Sequence, residues 1–235
     1  LTALPSTVKS IMVFGQHRYY DHIFVEFMEA NLTKDGKVKN PLKLVNPLDL
    51  IWKSNKNEEI KFYSGLVKFQ NNTLRNSSVS DLDALKAIVA NPLNFEVYYH
   101  DSKASDNLTA SSIIPVKLKL LDSDLLLTVD LKDQFYEISG RLEIGGKVFE
   151  IRDLKIKYNY FVLTGGTLYL IENPNFIRVI EFFKKNNPTI LIHESKFDEF
   201  KETILVNLEK KIKINYSFVK SATKKQIKEY GFDNS

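Results

Sequence analysis

The sequence predicts an α+β fold: an antiparallel β meander with flanking helices and a small C-terminal α/β unit. Three observations lead there. Apolar and polar residues alternate at period two over 116–131 and again over 136–144, the pattern of strands with one buried face. Ahead of that stretch, Ile60, Tyr63, Leu66 and Val67, and then Leu82, Leu85, Ile88 and Val89, recur at helical spacing. Behind it, helical and strand patterns take turns from Phe176 to Phe218. With 235 residues, 43% hydrophobic and 12% aromatic, the chain can bury one large core or two small ones.

The elements follow in order. Ile11, Val13 and Phe14 and then Ile23, Val25 and Phe27 predict strands over 11–33, closed by an Asp35-Gly36 turn. Asn40-Pro41 and Asn46-Pro47 punctuate an irregular stretch ending at Trp52. A helix is expected over 58–69, and a second begins at a Ser80 or Asp81 cap and stops at Asn91-Pro92. After a strand over 95–99, Val116, Leu118 and Leu120 alternate with Lys117 and Lys119; the turn at 122–124 sends the chain back through Leu125, Leu127 and Val129. Gly145-Gly146 supplies the positive backbone angles of a two-residue hairpin, followed by a partner strand over 149–161 and a Gly165-Gly166 turn. Phe176 to Phe183 reads as a helix, 189–193 as a strand, Phe197 to Leu208 as a helix and 212–218 as a strand.

The polar stretch 100–112 is the expected boundary. It separates a mixed α/β part over 1–105 from the meander and helix-strand-helix-strand unit over 106–235, the two able to form one continuous domain. The chain starts at Leu1 without a methionine and stops just past an amphipathic stretch, so a piece of a longer polypeptide is expected.

Charge permits an acidic partner without demanding one. The 33 basic and 29 acidic side chains leave +4, and the excess lies in residues 147–235, which hold 16 basic against 11 acidic groups. Zero cysteines remove disulfides, thiol nucleophiles and sulfur-ligated zinc, and fit a reducing, cytoplasmic setting. No apolar run approaches the ~20 residues of a membrane helix.

Each chemical motif fails on spacing or context. Around Gly145-Gly146-Lys147, Arg141 occupies the place of the first phosphate-loop glycine, and Val148 replaces the hydroxyl residue. His193-Glu194 would need a histidine at 197, where Phe197 stands. His17 and His22, if extended, lie on opposite faces and far apart, which speaks against a shared metal. No catalytic residue, metal ligand or cofactor is therefore assigned. The best binding candidates are lysine pairs on single strand faces: Lys117 with Lys119, Lys155 with Lys157, and Lys211 with Lys213, a basic sheet surface if the faces align. Tyr158 and Tyr160 share the parity of Leu154 and Ile156, which points them inward. His17, Arg18, Tyr19 and Tyr20, with Asp21, form the densest polar-aromatic cluster and a contact candidate, or equally a hairpin turn whose tyrosines cover a sheet edge.

Five blocks carry a family resemblance: 13–27 (VFGQHRYYDHIFVEF), 40–53 (NPLKLVNPLDLIWK), 93–101 (LNFEVYYHD), 190–200 (ILIHESKFDEF) and 208–233 (LEKKIKINYSFVKSATKKQIKEYGFD). Together they resemble the region preceding the ATPase core in long bacterial helicases of the SWI/SNF type, of Bacteroidetes-like lineage. The resemblance implies an ATP-driven translocase on double-stranded DNA whose phosphate loop and Asp-Glu box lie in two RecA-like lobes. Neither motif occurs in this sequence, so no ATPase residue carries over to it. The implied role is a non-catalytic accessory segment for targeting, autoinhibition or partner docking, with the helicase core of the same polypeptide and double-stranded DNA as the candidate partners. A protein-interaction module with no nucleic-acid role is the alternative.

Overall fold

Two apolar runs set the centre of the fold. Val8–Gln16 (β1) and Ile23–Leu32 (β2) pair antiparallel, and both are buried on both faces over most of their length. Their near-continuous hydrophobicity follows from that double burial, since a strand covered on both sides has no polar parity. The computed structural model describes residues 7–17, 22–70, 80–103, 108–186, 190–205 and 212–218. It divides into two compact units, one of Leu1–Leu120 with Ile156–Glu172 and one of Leu121–Lys155 with Asn173–Ser235. The class is α+β.

In the first unit, β3 (Val38–Leu44) pairs with β2, and α1 (Leu48–Ile51), α2 (Asn57–Lys68) and α3 (Asp81–Ala90) precede β4 (Glu96–Lys103). β4 runs parallel to β1, and β5 (Ile113–Leu120) runs antiparallel to β4. Beyond β5 come β11 (Thr167–Leu170), β10 (Phe161–Thr164) and β9 (Lys155–Lys157), which completes an eight-stranded sheet in the order β3-β2-β1-β4-β5-β11-β10-β9. Phe62, Leu66, Leu85 and Ile88 of α2 and α3 share a core with Met12, Phe14, Val25, Phe27, Val97 and Leu168 of the sheet. Ser80 caps α3 by accepting the Asp83 amide at 3.1 Å, satisfying one of the donors a helix start leaves open. Gly65 permits the close approach of α2 to α3, because a Cβ there would lie 2.8 Å from the Ala84 carbonyl oxygen.

The second unit is built on β6 (Leu125–Lys132) and β7 (Phe135–Ile144). β8 (Lys147–Glu150) and β12 (Ile190–His193) both pair antiparallel with β7, at opposite ends of that strand. β13 (Ile212–Phe218) pairs parallel with β6. α4 (Pro174–Lys185) packs beside Gly140, where an added Cβ would meet Ile151 at 2.6 Å and Phe183 at 3.1 Å.

Several expectations need correction. The break at 105/106 falls between β4 and β5, which are antiparallel neighbours, so both sides of it belong to one unit. β5 and β6 do not pair; residues 121–124 take the chain from one sheet to the other. The single strand over 149–161 is broken by a 3-10 turn at Ile151–Asp153 and by a turn in which Tyr158 and Asn159 have φ of 57° and 63°. Tyr158 is buried all the same, through that turn and not through strand parity. Residues 40–52 are not irregular but hold the end of β3 and α1. The helix from Phe197 is four residues long (α5, Phe197–Phe200) and runs into a π-helical turn, Lys201–Leu205. The C-terminal elements are no appended unit, because β12 and β13 flank the β6-β7 hairpin in one sheet.

Candidate functional site

The lysine pairs end up in different places. Lys117 and Lys119 are exposed on one face of β5, and among the described residues neither makes an ion pair. Lys155 is exposed on β9, the edge strand. Lys157 is half-buried, with its Nζ 2.6 Å from Asp101 Oδ1, so its charge is already neutralised. Lys213 lies on β13 in the other sheet, and Lys211 lies outside the described residues. One aligned basic sheet face is therefore not formed: β5 and β9 are separated by two strands, and β13 belongs to a different sheet.

The surface around Lys117 and Lys119 is built by a mismatch in strand length. β4 pairs with β5 only from Val97 opposite Val116 onward, and this register sets Glu96, the first residue of β4, opposite Lys117, so residues 118–120 extend past the start of β4. The chain leaves the sheet just before β4 because Asn91 (φ 39°) and Asn94 (φ 53°) adopt the left-handed conformation that asparagine tolerates best after glycine. Asn91 then closes on Phe95: its Nδ2 donates to the Phe95 carbonyl at 2.9 Å, and the Phe95 amide donates to Asn91 Oδ1 at 3.1 Å. A groove of about 530 Å³ results, lined by Asn91, Asn94, Phe95, Lys117, Leu118 and Lys119.

On the lysine face, Glu96 is held by Lys9 and accepts from the Tyr98 hydroxyl at 3.0 Å. Burial, then the hydrogen bond and charge of Glu96, push the Tyr98 phenol up to about 12. Among the described residues Lys117 and Lys119 are in no ion pair on this face, while Glu96, opposite Lys117, is already engaged by Lys9 and Tyr98.

Elsewhere, the ends of the His17 cluster are close, not far apart: the His17 amide donates to the His22 carbonyl at 2.8 Å, across the hairpin that joins β1 and β2. Arg18, Tyr19 and Tyr20 lie outside the described residues. His193 caps the turn at the end of β12, its Nδ1 accepting from the Ser195 amide at 3.3 Å. Gly145 and Gly146, at φ 58° and 76°, make the β7-β8 hairpin, with strands on both sides where a phosphate loop needs a helix. Among the described residues no three His, Asp or Glu side chains converge to hold a metal ion. No helix among them is long and apolar enough to cross a membrane. Two further surfaces stand out. A hollow of about 600 Å³ lies between α2 and α3. Trp52, 84% exposed, follows Leu48 by one helical turn at α1, with exposed Leu44 just before it in the sequence.

The groove beside β5 was not foreseen from the residues. Lys117 and Lys119 were, but the asparagine that takes up the Phe95 peptide groups leaves only a helix-stop signal in the sequence. No family model, curated protein or solved structure matches the chain.

Proposed function

We propose that this chain is a non-catalytic accessory or targeting segment of a SWI/SNF-type ATP-dependent DNA translocase, acting upstream of the motor core of the same polypeptide. The reading is supported by the five sequence blocks and by Lys117 and Lys119, exposed on one face of β5 and in no ion pair among the described residues, since exposed ammonium groups attract phosphates. Lys157 contributes nothing to it, since Asp101 occupies that ammonium. The test of the family assignment is the coding sequence downstream of residue 235. Two RecA-like lobes carrying a phosphate loop and an Asp-Glu box would establish it; any other continuation would remove it.

A second reading, a protein-interaction module with no nucleic-acid role, is favoured by Trp52. An 84% exposed tryptophan beside Leu48 is costly to leave in water and is the residue type most enriched at interface centres. Retention of a duplex oligonucleotide on a filter at two salt concentrations separates the readings, because only the first requires salt-sensitive retention.

A further inference from the structure

We infer that the edge of β5 over residues 118–120 docks an extended peptide in which acidic residues alternate with aliphatic ones, added antiparallel to β5 just before the start of β4. The backbone directions follow from one hydrogen bond. The Lys117 amide donates to the Gly166 carbonyl at 3.0 Å, so Lys117 and Lys119 turn their peptide groups toward β11. Leu118 and Leu120 therefore turn theirs the other way, toward the groove.

Continuing the register in which Val97 faces Val116 would set Phe95 opposite Leu118. Phe95 cannot serve, because Asn91 already binds both its amide and its carbonyl. The edge is thus held open from within the unit, and among the described residues the Leu118 and Leu120 peptide groups have no partner. Strand edges of this kind recruit a further strand, whose main-chain hydrogen bonds give affinity and whose alternate side chains give specificity.

Charge and burial choose the occupant. On one face the incoming strand meets Lys117 and Lys119, both exposed and in no ion pair among the described residues, with Glu96 engaged by Lys9 and Tyr98. On the other it meets half-buried Leu118 and exposed Leu120. Acidic side chains fit the first face and aliphatic ones the second. This inference goes beyond the translocase assignment and does not depend on it.

The probe is a fluorescein-labelled octapeptide of alternating glutamate and valine, titrated against the whole chain by fluorescence anisotropy. In the antiparallel register the valines face Leu118 and Leu120 and turn their amides to β5, so N-methylating the valines should weaken binding about tenfold, whereas N-methylating the glutamates leaves it within about twofold. Lys117→Glu with Lys119→Glu should reverse the preference toward a lysine-valine peptide. Undetectable binding overturns the inference. So does equal binding of a peptide with its glutamates and valines in separate blocks, or valine methylation no worse than glutamate methylation. Binding that tolerates valine methylation yet is displaced by duplex DNA is polyanion attraction alone, and also overturns it while leaving the DNA reading intact.

Discussion

The Tyr158 hydroxyl lies 3.2 Å from the carbonyl oxygen of His100, and 3.4 Å from that of Phe14, so one buried phenol ties the turn after β9 to β4 and β1. The ring packs edge-on against Phe161. Tyr158→Phe keeps this packing and removes the donor, and should cost about 1 kcal/mol in urea-induced unfolding. A loss below a few tenths would mean that the hydroxyl is not engaged.

Alkaline stability should fall through the same residues. Burial, with the charges of Asp101 and Tyr99, raises the Tyr158 phenol, and Tyr98 is pushed up from 10.0 to about 12. A phenol whose pKa is raised on folding contributes stability that is complete below the unfolded value and is lost as pH rises through the folded one. Unfolding free energy should therefore be flat in this respect up to about pH 10 and decline toward pH 12. Tyr98→Phe and Tyr158→Phe should each shallow that decline; an unchanged slope in both would remove the assignment.

Gly140→Ala should destabilise the second unit by about 2 kcal/mol, since the new methyl would stand 2.6 Å from Ile151 with Phe183 close behind. Gly146→Ala meets no neighbouring atom and is opposed only by its φ of 76°, so a smaller loss is expected, about 1 kcal/mol. Thermal unfolding of the pair orders the two effects, and the reverse order would contradict the packing described for α4.

Ser80→Ala should cost about 1 kcal/mol through the start of α3, and Ser80→Asp should not restore it, because its carboxylate would replace the hydroxyl that donates to Asp83 Oδ2 at 2.7 Å. Circular dichroism during urea titration measures both.

The sequence marks most of the strands and the helices α2, α3 and α4, because each announces itself by local periodicity. It also places Lys117 and Lys119 on one strand face. What it hides is partnership. Val116 to Leu120 and Leu125 to Leu131 read as two arms of a hairpin, yet a parallel pairing of β5 with β11 outcompetes the local turn. Lys155 and Lys157 look equivalent, and only the fold brings Asp101, 56 residues away, against one of them. Asn91 reads as the end of a helix, while its side chain decides where β4 begins pairing.

The charge pattern gives the most direct test. Filter retention of a duplex oligonucleotide at several salt concentrations should show affinity falling as salt rises, and Lys117→Glu with Lys119→Glu should flatten the dependence of log K on log salt by about 1.8. Lys157→Ala should leave the slope unchanged. A chain that retains no duplex, or a double variant with the wild-type slope, would contradict DNA contact through β5.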